Sequence, residues 1–336
     1  MESQDPSLKG VVGIQNMGNT CYSNSTLQLI RACPEWNAYC LTQNFAELAD
    51  NNYKRIIVAY QDILKSLWSS YKPAYVRPLG FISEVRNAVK GTVYEMFGFP
   101  IPNDSHEFLV YLLDSFHEAI KTEIPYIEKS SEEMNIMAEN GWNKFVSKNT
   151  SEIVNMFFGM MRKTIHCTKC ANNTYQWEVF NSLKIPCEGT TFKDWIQNEI
   201  KESDIEGYHC ENCIKLTNER PLAKIYSHIW KLPNNLFITL RRFNSNGTKN
   251  MSNCPYEGEN ITFSEYFAEE SDDPNRNLTY ELRGVSDHHG THMGGHYTAQ
   301  FKHPISGEWW WIDDEKTMKQ TPTFSPSNYI FLFRKI

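Results

Sequence analysis

The chain has 336 residues, of which 40% are hydrophobic and 13% aromatic, enough for one large enzyme domain or two ordinary ones. Its formal net charge of −7 argues against a general nucleic-acid binder, which needs a basic field, and suits a basic partner instead. No apolar run approaches the length needed to span a membrane, so no membrane association is expected.

The N-terminus and the cysteines indicate the compartment. The first residues, MESQDPSLKG, lack the basic and apolar regions of a signal peptide. The chain has nine cysteines, four of them in two close pairs, which favours thiol and metal chemistry in a reducing compartment over a disulfide scaffold. We therefore expect a cytoplasmic or nuclear protein.

The first half of the chain is predicted to be mostly helical. Residues 21–32 form a short helix that Pro34 closes, and residues 53–68 carry an apolar stripe at helical spacing. A further helix starts near residue 104, with Asn103 or Asp104 as its cap and Glu107 three residues after Asp104.

The sequence pattern changes near residue 155, where short alternating or β-rich runs begin. Strands are predicted over Phe157–Ile165, Thr174–Ile185, Lys224–Trp230, Leu236–Arg242, Thr279–Val285, His296–Lys302, Trp309–Ile312 and Tyr329–Phe333. Polar stretches at 128–152 and 244–278 are predicted to be loops. A helical half followed by a strand-rich half gives the α+β class.

Two distant segments carry the elements of one chemistry. Cys21 follows a Gly-Asn-Thr turn at the start of a predicted helix, where backbone N–H groups and the helix dipole favour a thiolate. His296 follows paired glycines in a β-like stretch and supplies an imidazole. Asn16 can offer an amide to an oxyanion beside the Cys21 N–H, and Gly18 permits the sharp turn. An isolated cysteine is more often an inert core residue, so the prediction that Cys21 is reactive depends on these surrounding residues.

Acidic residues near the C-terminus complete the pattern. Asp313 and Asp314 end an aromatic, strand-like run that can lie beside the His296 strand, where a carboxylate would hold the second imidazole nitrogen. A solvated turn is the alternative, and it suits one of the two aspartates. The other histidines of this region, His288 among them, are interpreted as loop or substrate-channel residues and not as a metal cluster.

Two CxxC pairs predict a zinc site. They are Cys167 with Cys170 and Cys210 with Cys213, and each pair can sit at the tip of a β-ribbon. Four thiolates complete a tetrahedral site with no open position, so one structural zinc ion is expected. Disulfides or unpaired core thiols are the alternatives.

Taken in order, these segments resemble the ubiquitin-specific proteases, papain-like cysteine peptidases that remove ubiquitin. The resemblance runs from about Val12 to Lys335. It rests on the segments NMGNTCYSNSTLQ, NDSHEFLVYLLD, FFGMMRKTIHCTKC, YHCENC, LPNNLFITLRRF, HHGTHMGGHYTAQ, WWWIDD and YIFLFRK. Each is modest alone, and the ordered set is highly specific.

The resemblance implies one catalytic domain, residues 1–336, shaped as a hand. A thumb would take about 11–155, zinc-tipped fingers 156–230 and a palm 231–336. It implies that Cys21 is the nucleophile, His296 the general base and acid, and Asp313 the orienting carboxylate. Asn16 matches the oxyanion residue, and Asp314 matches a neighbour that supports the site.

The implied reaction is hydrolysis of the bond after the C-terminal Gly-Gly of ubiquitin. The expected partners are ubiquitin and ubiquitinated proteins, with an activating protein possible and a monomeric core. Residues expected to bind the ubiquitin tail are Asp104, Glu107, His288, Gly294, Gly295 and Tyr297. The two acids would pair with arginines just upstream in that tail.

Three alternatives remain at this point. A catalytically dead ubiquitin receptor would keep the fold, although the intact set of Cys21, His296, Asp313 and Asn16 argues against it. A zinc-containing nucleic-acid module conflicts with the acidic charge. Another modifier that ends in Gly-Gly could replace ubiquitin as the substrate.

Overall fold

The computed structural model describes residues 9–71, 73–147, 149–217 and 220–336. Most of the N-terminal stretch interpreted as lacking a signal peptide, residues 1–8, lies outside these ranges. Within them, helices dominate the first half and strands the second, which confirms the predicted α+β class. None of the helices in this part of the chain has the length and apolar character needed to cross a membrane.

The helices lie mainly before residue 158. In chain order they are α1 (Cys21–Ile30), α2 (Pro34–Thr42), α3 (Asn52–Leu67), α4 (Leu79–Ala88), α5 (Ser105–Ile120), α6 (Met134–Val146), α7 (Glu152–Phe157), α8 (Phe192–Ile200) and α9 (Glu211–Thr217). A single 3-10 turn, Glu95–Gly98, lies between α4 and α5.

The strands form two larger sheets and one short pair. In chain order they are β1 (Gly13–Ile14), β2 (Tyr75–Val76), β3 (Gly159–Cys167), β4 (Asn173–Phe180), β5 (Ser182–Pro186), β6 (Ser203–Ile205), β7 (Ala223–Lys231), β8 (Asn235–Arg241), β9 (Ile261–Thr262), β10 (Thr279–Thr291), β11 (Gly294–Lys302), β12 (Trp309–Asp313), β13 (Lys316–Lys319) and β14 (Asn328–Lys335). The large sheet has the order β13-β12-β11-β10-β14-β8-β5, with β9 beside β10, and the second sheet the order β4-β3-β7-β6.

The helices with clear sequence signals form where they were predicted. On α3 the Asn51 side chain accepts a hydrogen bond from the Lys54 N–H, and the apolar stripe from Ile56 to Leu67 is buried. On α5 the Asp104 carboxylate caps the first turn, as predicted. These helices follow local rules because their caps and apolar stripes are contiguous in the chain.

Three local predictions are wrong. Pro34 does not close α1 but begins α2, where its missing N–H costs no helical hydrogen bond. The 128–152 stretch is not all loop, because α6 buries Ala138 and Val146 despite its polar composition. The single strand predicted over Thr174–Ile185 is two strands in different sheets, because β4 is half-exposed whereas most of β5 is buried.

The large sheet is covered on both faces. Along β14, Ile330 and Leu332 pack with the helices of the first half, whereas Phe331 and Phe333 pack with α8 on the opposite face. This alternation follows from the two-residue period of a strand. Helix α1 is entirely buried and packs against β10, β11 and α5. The fold thus brings the first helix of the chain against strands from its last quarter.

Candidate active site and cysteine cluster

A turn held by Asn16 delivers Cys21 to the first position of α1. The Asn16 Oδ1 accepts hydrogen bonds from the backbone N–H groups of Gly18, at 3.0 Å, and Thr20, at 3.2 Å. Gly18 and Asn19 have φ values of +93° and +56°, a region that glycine and asparagine tolerate best. The sequence Asn-Met-Gly-Asn-Thr therefore forms the tight approach that the motif predicted.

The Cys21 thiol is buried, and this changes its expected electrostatics. Burial raises the pKa of the Cys21 thiol, although the backbone N–H groups of Tyr297, Tyr22 and Cys21 itself act in the opposite direction. The start of α1 therefore does not by itself produce a low-pKa thiolate, contrary to the sequence-based expectation. The Tyr297 N–H beside the sulfur also shows that Cys21 lies next to the residue that follows His296.

His296 and Asp313 form a hydrogen-bonded pair on neighbouring strands. Strands β11 and β12 are antiparallel, with Ala299 opposite Ile312. The His296 Nε2 lies 2.5 Å from the Asp313 Oδ1. This contact leaves Nδ1 as the ring nitrogen available to a thiol. Within the described residues, no hydrogen bond joins Cys21 to His296, although the Cys21 thiol lies beside the backbone N–H of Tyr297, the next residue along the chain.

Asp314 binds two asparagines of the first segment. Its Oδ2 accepts from the Asn16 Nδ2 at 2.8 Å, and its Oδ1 accepts from the Asn24 Nδ2 at 2.7 Å. Its Oδ2 lies 4.0 Å from the His296 Nε2, too far for a hydrogen bond. Burial raises the pKa of Asp314, opposed by the two amides and by His296. Asp314 therefore orients Asn16, whereas Asp313 contacts the imidazole directly.

Asn16 is thereby fixed at both ends of its amide. Its oxygen holds the turn and one of its N–H groups is donated to Asp314. A primary amide carries two hydrogens on its nitrogen, and within the described residues Asp314 is the only acceptor for them. The second N–H can therefore be donated to a charge that develops beside Cys21.

A cleft of about 650 Å³ opens over Cys21. Its lining includes the predicted tail-binding residues Asp104, Glu107, His288, Gly294, Gly295 and Tyr297. The fold thus brings together residues that are nearly 200 positions apart in the chain. His296, Asp313 and Asn16 are not among the lining residues of this cleft, although Tyr297, which follows His296, is.

One wall of the cleft is built by close backbone packing. A Cβ at Gly295 would lie 2.3 Å from the His289 carbonyl oxygen and 2.6 Å from the His288 Nε2, so a side chain does not fit there. Gly294 has a φ of +149°, which side chains rarely adopt. The His288 ring is buried, and burial lowers its pKa to about 4. Because the two glycines have no side chains and the imidazole is neutral, this wall does not project into the cleft and carries no charge.

Another part of the lining carries both signs of charge, with the carboxylates of Asp104 and Glu107 and the cations Lys184, Arg241 and Arg242. The Asp104 Oδ1 caps α5 through the His106 and Glu107 N–H groups, and its Oδ2 accepts from the Tyr329 hydroxyl at 2.8 Å. Glu107 is exposed in the cleft and makes no ion pair within the described part of the chain. Burial and the neighbouring Asp104 raise the pKa of Glu107, and Lys184 opposes them. Glu107 is thus the carboxylate free to meet a cationic ligand.

The sequence analysis missed several residues of the site. Asn24 lies one turn after Cys21 on the inward face of α1, which was a signal for a role beside the nucleophile. Tyr329 and Asp104 are 225 residues apart, and nothing local links them. The Lys249 Nζ donates to the His288 carbonyl at 2.5 Å and so ties the 244–278 segment to β10.

The four CxxC cysteines converge at the end of the second sheet. Their Sγ atoms all lie within 4.8 Å of one another, with Cys167 3.7 Å from Cys213 and Cys170 3.5 Å from Cys210. Tetrahedral zinc with bonds of about 2.3 Å would separate sulfurs by about 3.8 Å, so the set fits. The first pair lies at the β3–β4 hairpin, as predicted. The second does not lie on a ribbon, because Cys210 precedes α9 and Cys213 lies within it.

The thiols of the cluster differ in acidity: burial raises the pKa of Cys213 to about 12, and burial and the neighbouring sulfurs also raise the pKa of Cys170. Burial opposes ionisation of Cys167, but the N–H groups of Cys170 and Lys169 outweigh it and lower the Cys167 pKa to about 7. None of the four sulfurs is in a disulfide. The disulfide alternative is therefore wrong for these cysteines, and the arrangement is compatible with one zinc ion.

Comparison with known proteins identifies relatives along the whole chain. Residues 12–333 match the family model described as Ubiquitin carboxyl-terminal hydrolase. Ubiquitin carboxyl-terminal hydrolase Usp2 of Drosophila melanogaster is 25% identical over 346 residues, covering 99% of this chain and 36% of the relative. Ubiquitin carboxyl-terminal hydrolase 2 of Homo sapiens is 26% identical over 325 residues, covering 92% of this chain and 52% of the relative. The chain thus spans about half or less of the length of these curated relatives.

Solved structures share the fold. The SAGA Ubp8/Sgf11/Sus1/Sgf73 DUB module bound to ubiquitin aldehyde contains a chain with a TM-score of 0.75 and 21% identity, covering 100% of this chain and 72% of that chain. A module of the same composition bound to monoubiquitin gives a TM-score of 0.76 at 21% identity, with 100% and 71% covered. This likeness confirms the fold expected from the resemblance to ubiquitin-specific proteases. With the match over residues 12–333, it follows that the chain belongs to the ubiquitin carboxyl-terminal hydrolase family.

Proposed function

We propose that this chain is a thiol-dependent deubiquitinase that hydrolyses the bond after the C-terminal Gly-Gly of ubiquitin. The observation that carries the proposal is the hydrogen-bonded pair of His296 and Asp313 beside the buried thiol of Cys21, at the floor of a cleft with a glycine wall. Membership of the family supplies the substrate class.

The cleft suits a thin peptide whose cationic side chains reach Asp104 and Glu107, although Lys184, Arg241 and Arg242 also line it. Gly294 and Gly295 leave one wall without side chains, so a Gly-Gly end can approach Cys21 in an extended conformation. Glu107 offers a free carboxylate further along the cleft, and Asp104 adds negative charge beside it. Arginines upstream of the Gly-Gly would pair with these acids through charge-assisted hydrogen bonds.

The chemistry begins with transfer of the Cys21 proton to the His296 Nδ1, while Asp313 holds the Nε2–H and stabilises the imidazolium. The thiolate then attacks the terminal glycine carbonyl carbon and forms a tetrahedral intermediate. Its oxyanion accepts from the free N–H of Asn16 and from the Cys21 N–H. His296 protonates the leaving lysine amine, and the C–N bond breaks to leave a thioester. Water, deprotonated by His296, hydrolyses the thioester and restores the thiol.

Within the part of the chain that the structure describes, no hydrogen bond joins the Cys21 thiol to the His296 imidazole in the free protein, so we expect substrate binding to help assemble the catalytic pair. Burial favours the neutral thiol in the free protein. We propose that a bound tail brings Cys21 and His296 into contact, so that ion-pair formation offsets the cost of burying the thiolate. Hydrogen bonds at catalytic sites often tighten only when substrate is bound.

The cysteine cluster would hold one structural zinc ion. Cys167, Cys170, Cys210 and Cys213 provide four sulfur ligands, which leave no position for water, so the ion takes no part in hydrolysis. It would instead join the β3–β4 hairpin to α9, because metal binding is coupled to folding.

The wider assignments belong to the same proposal. Residues of about 11–155 would form the thumb, 156–230 the fingers and 231–336 the palm. The partners would be ubiquitin, ubiquitinated proteins and an activating protein, and the protein would act as a monomer in the cytoplasm or nucleus. The modules containing Ubp8 bind ubiquitin together with further subunits, which supports the first and third of these partners.

The test is turnover of a ubiquitin C-terminal fluorogenic amide by the parent and by Cys21→Ser. We expect multiple turnovers by the parent and none by Cys21→Ser, with ubiquitin binding retained, since a hydroxyl is a much weaker nucleophile at neutral pH. Binding without turnover by the parent would support the ubiquitin receptor instead. Turnover of another Gly-Gly modifier but not of ubiquitin would change the substrate.

A further inference from the structure

A second concavity of about 700 Å³ lies beside the turn that runs from Asn16 to Cys21, because Met17 of that turn is in its lining. We name it the α4 groove and define it by Met17, Leu79, Ile82, Arg86, Lys90 and Phe99. Helix α4 forms one side, and the segment that follows the Glu95–Gly98 turn forms the other. The chemistry described above does not use this groove.

The α4 groove has an apolar surface that the described residues leave open. Leu79 and Phe99 are 56% and 55% exposed, whereas Ile82 and Val89 form a buried floor. The surrounding segment is rich in such residues. Of the large hydrophobic side chains that are exposed among the described residues, Leu79, Val93, Met96, Phe99 and Ile101 fall between positions 79 and 101. Leu79 and Phe99 are the members of this set that line the α4 groove, and exposed apolar side chains that share a concavity mark an interaction site.

The rim of the α4 groove is cationic in a chain whose formal net charge is −7. Arg86 lies in the last turn of α4 and Lys90 lies two residues beyond its end, and in the described ranges neither makes an ion pair. Among the residues that the structure describes, Lys90 donates only to the Asn87 amide oxygen, and Glu95 is the one acidic side chain of the lining. An apolar floor with two unpaired cations matches a segment that carries apolar and acidic side chains.

The α4 groove is continuous with the active-site turn. Met17 lines it and is the residue after Asn16, four positions before Cys21. The Glu95–Gly98 turn separates the two concavities, because Met96 lines the cleft and Glu95 lines the groove. The cleft and the α4 groove thus share the Glu95–Gly98 turn as a boundary.

The position of the ubiquitin tail in the cleft indicates which part of the substrate can reach the α4 groove. If the ubiquitin tail fills the cleft and ends at Cys21, the polypeptide on the other side of the scissile bond can leave past Met17, which lines the α4 groove. We propose that the α4 groove binds the leaving chain, an acidic and apolar segment that flanks the modified lysine. This inference rests on the proposed function and concerns the part of the substrate beyond the scissile bond, which the family match does not specify.

The test uses three ubiquitin substrates that differ only beyond the scissile bond. The first joins ubiquitin to the lysine of a peptide with leucine and glutamate on both sides. The second replaces the glutamates by lysines. The third is the fluorogenic amide, whose small leaving group cannot reach the α4 groove. For the parent we expect kcat/KM about 10-fold higher on the acidic conjugate than on the basic one, since two exposed ion pairs give way to repulsion.

The main variant is Arg86→Glu with Lys90→Glu. We expect kcat/KM on the acidic conjugate to fall about 10-fold, because each exposed ion pair contributes a factor of roughly 2–5 and two are reversed. The basic conjugate should gain, and the fluorogenic amide should be cleaved as by the parent. Lys144→Glu with Lys201→Glu is the matched control, since both lysines are exposed and lie on other elements. It should leave all three rates unchanged.

A second variant tests the apolar surface. Leu79→Ser with Phe99→Ser removes two exposed side chains, so the fold should persist. It should raise KM for both peptide conjugates and leave the fluorogenic amide unaffected. The amide also reports folding, because a misfolded variant would lose it.

Several results would overturn the inference. One is a parent that cleaves the amide but shows no preference between the conjugates. Another is a charge-reversed variant that keeps the parent's preference. A third is a folded variant that no longer cleaves the fluorogenic amide, which would mean that the groove binds ubiquitin itself. A parent that cleaves none of the three substrates would instead contradict the proposed function.

Discussion

Gly295→Ala is a direct test of how the fold holds the catalytic imidazole. Gly295 lines the cleft, immediately before His296. A Cβ there would lie 2.3 Å from the His289 carbonyl oxygen. His289 is paired with His296 across the β10–β11 ladder, so the carbonyl cannot withdraw without moving the strand that carries the imidazole.

The expected loss follows from the displacement. Moving the two atoms from 2.3 Å to an ordinary contact of 3.4 Å requires a shift of 1.1 Å. A misplacement of about 1 Å at a reacting centre costs on the order of 10² in rate. Overpacking itself typically costs about 1–3 kcal/mol of unfolding free energy, which should lower Tm by several degrees.

The assay is steady-state turnover of the fluorogenic ubiquitin amide, with thermal unfolding followed in parallel. We expect kcat/KM to fall about 100-fold for Gly295→Ala, mainly through kcat. Gly80→Ala is the matched control, because nothing lies within 4 Å of a Cβ at that helical position. It should keep full activity and raise Tm slightly. Parent-like kcat and Tm for Gly295→Ala would refute the view that this close packing fixes His296.

Three further predictions concern other parts of the site. Asn16→Ala removes an oxyanion donor and should lower kcat on the order of 10²–10³, with a small loss of Tm from the turn; an unchanged kcat in steady-state kinetics would move the oxyanion site elsewhere. Asp313→Asn should impair turnover more than Asp314→Asn, because the first carboxylate lies 2.5 Å from the imidazole Nε2 and the second 4.0 Å; the reverse ranking would exchange their roles. Cys210→Ser with Cys213→Ser should lower Tm, raise KM and abolish a zinc content of about one ion per chain by elemental analysis; a metal-free parent with full stability would exclude the zinc site.

The parts of the fold that the sequence predicts are those with local causes. The cap and stripe of α5 lie within about twenty residues, and the Asn16–Cys21 turn lies within six. The pairing of His296 with Asp313 was accessible because His296 begins one β-like run and Asp313 follows the next run along the chain. Such features need no knowledge of the remaining fold.

The features that were missed depend on distant partners. The contact of Tyr329 with Asp104 joins residues 225 apart, and Asn24 meets Asp314 across 290 positions. Helix α6 forms from a polar sequence because it packs on the second sheet, where Ala138 and Trp142 meet residues of β3, β4 and β7. The raised pKa of Cys21 follows from burial, which the position at a helix start does not reveal.

The central claim is that Cys21 attacks the end of a ubiquitin tail held in the cleft. The most direct measurement is the intact mass, followed by peptide mapping, of protein treated with ubiquitin that carries a C-terminal electrophile. We predict one adduct per chain, located at Cys21 and absent from Cys21→Ser. Cys170 is the exposed cysteine among the described residues and serves as an internal control. No adduct on folded protein, or an adduct at Cys170 in place of Cys21, would contradict the account.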